Sequence, residues 1–180
     1  MPRYVAFLRG INIGNRRVTM DRLREVFESF GLRDVSTFIA SGNVIFDATE
    51  PAVALEPGLE GHLGASLGFP VDTFLRTVEE LESVVRFAAS VTPAEEGWTP
   101  HVAFVREPVG DDVADRLRRL ETDGDRFPVH GREIYWLRRG RMSDSAVSAG
   151  ALEKAIGVPH TMRNVNTVER IVEKYGRVER

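Results

Sequence analysis

Two stretches of the chain repeat each other, and that repeat limits the fold more than any other feature. Tyr4-Val5-Ala6-Phe7-Leu8-Arg9 and His101-Val102-Ala103-Phe104-Val105-Arg106 share Val-Ala-Phe and a closing arginine at an offset of 97. Thr77-Val78-Glu79 and Thr167-Val168-Glu169 recur at an offset of 90, each opening a helical pattern. Between the echoes the same series of elements appears twice. The chain of 180 residues therefore reads as two related halves from an internal duplication, expected to pack into one compact body.

In the first half a strand at residues 4–9 precedes a helix at 19–30, where Met20, Leu23, Val26, Phe27 and Phe30 keep helical spacing. Thr19 is its N-cap and Gly31 its stop. Residues 35–40 and 43–47 form a hairpin around Ser41-Gly42-Asn43. A weak helix ends near Gly68, with Pro57-Gly58 expected to bar an earlier start, and a strand at 71–76 and a helix at 78–89 follow. The second half repeats this with a strand at 101–106, a helix at 111–121, strands at 127–130 and 133–138, a helix at 145–156, an extended piece at 160–163 and a helix at 166–175. Each half is β-α-β-β-α-β-α, the split βαβ or ferredoxin-like order with one added helix, so the expected class is α+β. The halves span 1–92 and 98–180, joined by a linker over 90–100 that Pro93, Gly97 and Pro100 keep irregular. Both alternating sets of the opening strand, Tyr4/Ala6/Leu8 and Val5/Phe7, are apolar, so each sheet is expected to be covered on two faces, one by helices and the other by the second half or another chain.

The two offsets differ by seven residues, most of them after Arg9. There the chain runs through the loop 10–18, Gly10-Ile11-Asn12-Ile13-Gly14-Asn15-Arg16-Arg17-Val18, where the second half needs only Glu107-Pro108-Val109-Gly110. A strand, a loop with two glycines and a helix N-terminus can turn backbone N–H groups toward an anion, and Arg16 and Arg17 add full charges. The loop is neither a Walker sequence nor a dinucleotide fingerprint. Its ordinary alternative is a long surface turn with two solvated arginines. The functional reading brings the loop together with Ser41-Gly42-Asn43 and Thr161-Met162-Arg163-Asn164-Val165-Asn166 around a phosphate- or carboxylate-bearing ligand, which Arg163 grips bidentately.

Composition removes other chemistries. The chain has no cysteine, which excludes disulfides, thiolate nucleophiles and Cys-based metal sites and fits a reducing compartment. No apolar run reaches membrane-span length and no secretory leader pattern opens the chain, so a cytoplasmic protein without membrane attachment is expected. His62, His101, His130 and His160 lack metal-ligand spacing, and no metal is expected. Ser41 lacks the Gly-x-Ser-x-Gly elbow of a nucleophile, and Asp144 reads as a helix cap.

Three stretches carry a resemblance: Leu8-Arg9-Gly10-Ile11-Asn12-Ile13-Gly14, Ile39-Ala40-Ser41-Gly42-Asn43-Val44-Ile45-Phe46 and Thr161-Met162-Arg163-Asn164-Val165-Asn166-Thr167-Val168. They resemble the signature segments of the bacterial domain of unknown function 1697 family, in order and over nearly the whole chain. The resemblance implies a cytoplasmic bacterial α+β protein of two related halves and no established activity or cofactor. It carries over Arg9, Gly10, Asn12, Gly14, Ser41, Gly42, Asn43, Thr161, Arg163 and Asn164 as the residues of a site. Departures from the family pattern are Asn15 for a second glycine, Ala40 for glutamine, Val165 for an aromatic, and Pro57-Gly58 inside the second helix.

Binding of a small anionic ligand by a monomer or homodimer is the leading expectation. The first alternative is an RNA- or DNA-binding module that stacks bases on strand aromatics such as Phe7, Phe46, Tyr135 and Trp136, with Arg116, Arg118, Arg119, Arg138, Arg139 and Arg141 as basic clusters. A net charge of -3 and the two-sided apolarity of the strands count against it. The second alternative is an enzyme of transferase or hydrolase type, for which the neighbouring sequence offers no general base.

Overall fold

The computed structural model describes residues 1–39 and 42–176. Its elements, in order, are β1 (Arg3–Arg9), α1 (Met20–Ser29), β2 (Arg33–Thr37), β3 (Asn43–Asp47), α2 (Ala52–Leu67), β4 (Asp72–Thr77), α3 (Val78–Val91), β5 (Trp98–Phe104), α4 (Asp111–Arg118), β6 (Asp125–Arg126), β7 (Val129–His130), β8 (Glu133–Arg139), α5 (Ala149–Ile156), β9 (Thr161–Asn164) and α6 (Val165–Tyr175). The result is a mixed α+β protein with two antiparallel sheets. Contacts divide the described residues into two units, 1–80 and 81–176. The expected first half, 1–92, thus gives up most of α3. The reason is packing: the ring of Phe87 stacks on His130 at 4.6 Å and meets Tyr135 at 4.8 Å.

The first sheet has the order β2-β3-β1-β4. Tyr4, Ala6, Leu8, Val44, Phe46 and Leu75 face Leu23, Val26 and Phe27 of α1 and Leu55, Leu59 and Leu63 of α2. The opposite set, Val5, Phe7, Ile45 and Phe74, is equally buried. Helix α1 begins where Thr19 Oγ1 accepts from the Arg22 amide at 3.1 Å. Helix α2 runs through Pro57, contrary to expectation. Pro57 and Val53 lie on its exposed side, so the hydrogen bond that proline cannot make is lost where water can replace it, while Leu55, Leu59 and Leu63 hold the buried side in place.

The second sheet, β6-β8-β5-β9 with β7 also on β8, repeats the neighbour relations of the first. Ala103, Ile134 and Trp136 pack against Leu117 of α4 and Leu152, Ala155 and Ile156 of α5. The other face carries α6, with Val168 and Ile171 fully buried. Pro100 is tolerated in β5 because it lies beyond the end of β9, whose pairing starts at His101, so no ladder bond is sacrificed.

Register sharpens the repeat. Val5 stands opposite Ile45 and Arg76, and Val102 opposite Tyr135 and Arg163, so Val-Ala-Phe occupies the same place in both sheets. The Thr-Val-Glu echo does not. Thr77 caps α3, accepting from the Glu80 amide at 3.1 Å, but the equivalent cap of α6 is Asn164, and Thr167 lies inside that helix. Other boundaries also move. The first hairpin strand is 33–37 rather than 35–40, with a register shift beside Asp34, whose φ is +49°. The strand expected over 127–130 breaks into β6 and β7 on either side of Phe127-Pro128, where proline has no N–H to donate. The helix expected from 145 starts at Ala149, because Ser148, not Asp144, is the N-cap and accepts from Ala151 N at 3.1 Å. Asp144 ends a short 3₁₀ turn.

Candidate functional site

The loop after β1 is built by three residues of positive φ, Gly10 at +82°, Asn12 at +56° and Gly14 at +54°. Gly10 turns the chain off the strand, and the Asn12 amide donates to the Arg16 carbonyl at 2.6 Å while Arg16 N donates to the Ile13 carbonyl at 3.0 Å. A closed turn results, with Gly14 at its tip. Asn12 Oδ1 accepts from the Val18 amide at 3.0 Å and ties the turn to the start of α1. Ile11 points inward, and Ile13 is 62% exposed.

These bonds redistribute what the loop can offer. The N–H groups of Asn12, Arg16 and Val18 are spent inside the turn, and the N-terminus of α1 is served by Thr19 and by Asp21, itself bonded by Arg24 at 2.9 Å. Those three amides are closed to an anion, and the full charges the loop offers are the guanidinium groups of Arg16 and Arg17. Arg16 lies over the Phe69 ring, 5.3 Å from its centroid, and a Cβ on Gly10 would come within 3.3 Å of Arg16 Nη1. Arg17 Nη1 donates to the Asn12 carbonyl at 3.4 Å. Among the described residues neither Arg16 nor Arg17 forms an ion pair. Phe69 lines an open groove of about 700 Å³ along Gly61, Gly64 and Gly68 of the α2 region.

The hairpin turn joins this loop directly. Leu8 N donates to the Gly42 carbonyl at 2.9 Å, and a Cβ on Gly42, whose φ is +77°, would meet Ile11 Cδ1 at 2.9 Å and Leu8 Cβ at 3.2 Å. Asn43 is fully buried as the first residue of β3, and its Nδ2 donates to the Phe38 carbonyl at 3.0 Å. Its amide locks the turn. Ser41 lies outside the described residues, as does Ala40. Arg9 closes β1 opposite Asp72. The first unit thus gathers Arg9, Gly10, Asn12, Gly14, Arg16, Arg17, Gly42 and Asn43.

Thr161, Arg163 and Asn164 belong to the second unit. Arg163 Nη1 donates to Thr161 Oγ1 at 2.7 Å and to the Met162 carbonyl at 2.9 Å, and burial pulls its pKa down to about 10, so it stays cationic at neutral pH. Asn164 caps α6 through its Oδ1, which accepts from Asn166 N at 2.9 Å. Arg163 has a counterpart that sequence reading passed over. Arg76 is fully buried on β4, opposite Val5 as Arg163 is opposite Val102, and its Nη1 donates to the preceding carbonyl of Leu75 at the same 2.9 Å. The legible signal was an apolar residue, an arginine and a cap residue in Leu75-Arg76-Thr77 and Met162-Arg163-Asn164.

The strand aromatics Phe7, Phe46, Tyr135 and Trp136 are all buried, at 0–4% exposure, and present no free ring for a base. His62 is bonded to Ser29 Oγ at 2.8 Å and to the Val26 carbonyl at 3.0 Å, and His160 to the Val158 carbonyl at 3.0 Å.

Two α+β units, each an antiparallel sheet with a helical layer, the first bearing an arginine loop after its opening strand, define the class of protein. The chain belongs to the protein family of unknown function DUF1697, whose model matches residues 1–135. That match contains the first two signature stretches and ends before the third. The conserved bacterial protein SP0830 from Streptococcus pneumoniae has a similar solved structure, with a TM-score of 0.76 and 24% identity over 98% of this chain and 99% of that one. This likeness concerns the fold. No curated protein matches the chain.

Proposed function

We propose that the protein binds a small anionic ligand, phosphate- or carboxylate-bearing, at the loop 10–18 of the first unit. The observation that carries the reading is the pair Arg16 and Arg17, two charges held by a hydrogen-bonded turn without a carboxylate partner among the described residues. Arg16 rests over the Phe69 ring, a contact that narrows its rotamers and so lowers the entropy lost when it grips a ligand, and the groove beside Phe69 offers a seat for the uncharged remainder. Gly10 and Gly42 serve the site by leaving room for Arg16 and Ile11. The proposal is confined to the first unit, so Thr161, Arg163 and Asn164 are not part of it. We read the two sheets, with matching strand order and matching Val-Ala-Phe register, as a duplicated ferredoxin-like unit with an added helix.

A thermal-shift screen with nucleotides, sugar phosphates and acyl-CoA, followed by calorimetry on any hit, tests the reading. Arg16→Ala/Arg17→Ala is expected to weaken binding at least tenfold without lowering Tm, and binding to the parent chain should weaken with added salt. A ligand that binds both chains equally would sink the proposal.

A further inference from the structure

A cleft of about 260 Å³ opens in the second unit between the end of β5, the connection 107–110, the start of α4 and the end of α5. Its walls are aliphatic, formed by Val105, Val109, Val113, Ile134, Ile156 and Val158. Ile134 and Ile156 are buried at its floor, and Val158 stands exposed at its rim. The amides of Val105 and Val109 are already bonded, to the Arg132 carbonyl at 3.1 Å and the Gly131 carbonyl at 2.9 Å. A water settles in such a place only with roughly two to four polar partners, which these walls do not supply, so an apolar guest gains by displacing it.

The first unit shows the same place filled. Val105 holds the position of Leu8, each following Val-Ala-Phe, and Ile134 stands opposite Ala103 as Val44 stands opposite Ala6. Gly157 ends α5 at φ +70° as Gly68 ends α2 at φ +83°, and each is followed by an apolar residue and a proline, Val158-Pro159 and Phe69-Pro70. Three residues after Leu8 comes Ile11, 7% exposed and packed with Leu8 and Phe69 in the core of its unit. Three residues after Val105 comes Pro108, which is exposed, and valine replaces the larger phenylalanine at position 158. The shorter connection thus leaves open what the longer loop closes.

We propose that this cleft binds a short aliphatic chain in the place that Ile11 and Phe69 fill in the first unit. Its volume sets the length: an apolar cavity of about 150 Å³ takes up benzene, so about 260 Å³ suits roughly six to ten carbons. The walls hold no aromatic ring, and the charged residues among them, Arg106 and Glu107, flank the connection at the mouth, where the polar end of the chain stays in water. The cleft is independent of the loop 10–18, which belongs to the other unit.

The test uses the full chain with its isoleucine δ1 methyl groups labelled, titrated with 1-butanol, 1-hexanol and 1-octanol. The methyl resonances of Ile134 and Ile156 are expected to shift saturably and those of Ile11 and Ile13 to stay in place. Affinity should rise with chain length, by roughly fourfold per methylene. Sodium octanoate beside 1-octanol tells whether the end at the mouth is charged or neutral. Val158→Phe gives the second unit the residue that the first has there, and it should weaken 1-octanol binding at least tenfold. Val113→Phe, which fills the cleft from α4, replaces it if that variant does not fold. Arg16→Ala/Arg17→Ala should leave 1-octanol binding unchanged, which separates this site from the one proposed above. The proposal is overturned if no alcohol moves Ile134 and Ile156 saturably, if affinity does not rise with chain length, or if a folded phenylalanine variant binds 1-octanol as the parent does.

Discussion

Asp125 shows how one side chain can hold three separate stretches of chain together. Its carboxylate is 2% exposed and gathers the indole of Trp136, the hydroxyl of Ser145 and the hydroxyl of Thr122. Asp125→Ala would leave the Trp136 indole N–H without an acceptor in the core and free the Ser145 and Thr122 hydroxyls, and a loss of about 2–4 kcal/mol is expected in urea unfolding. Asp125→Asn, which keeps an acceptor at Oδ1, should lose less. Sequence reading weighed Asp144 in this region and passed over Asp125, because the partners lie 3, 11 and 20 residues away and only folding brings them within reach. Asn43 makes a related point. Its residue type suited either a turn or a ligand contact, and in the fold it is buried with its Nδ2 on the Phe38 carbonyl.

Strand β4 is an edge of the first sheet, and helix α2 together with the start of α3 seals it. Thr73 N donates to Glu60 Oε1 at 2.8 Å, Leu75 N to Glu56 Oε1 at 3.0 Å and Thr77 N to Glu80 Oε2 at 2.7 Å. Four helical residues rise about 6 Å and two strand residues nearly 7 Å, so glutamates at positions 56 and 60 match alternate strand amides. Open edge amides invite pairing with another chain, and these carboxylates occupy them. Glu56→Ala is expected to cost about 1–3 kcal/mol, and Glu56→Ala/Glu60→Ala to add self-association, read by sedimentation velocity. Most elements were legible from periodicity and turn chemistry: α1, α4, α6 and all the longer strands lie within a few residues of their expected places. Some misses are local, such as the strand broken at Pro128 and the helix that starts after Ser148, and two are tertiary. Helix α2 crosses Pro57 because buried side chains outweighed local propensity, and α3 forms where expected but joins the second unit through Phe87, a contact that a sequence window cannot weigh.

At the scale of the molecule, charge and pH act through few groups. Burial, and then the neighbouring Arg138, hold the His101 pKa below its usual 6.5. Between that lowered value and 6.5 the unfolded chain binds a proton at this site that the folded chain does not, so stability is full above pH 6.5 and falls as the pH drops toward the folded value. In urea titrations across pH 5 to 8, the parent chain should lose stability below pH 6.5 more steeply than His101→Gln; equal slopes would refute this assignment. Among the described residues no helix is long and apolar enough to cross a membrane. The repeat of Val-Ala-Phe at an offset of 97, the two-sided apolarity of the strands and the long arginine loop were all set by local sequence, because period and turn chemistry act over a few residues. What folding alone decided was the use of the polar residues: which amides the turn consumes around Arg16, which carboxylates close β4, and why Arg138 is left with donors that nothing in the described chain accepts. Those outcomes depend on distances between residues far apart in sequence, and such distances exist only once the sheets have formed.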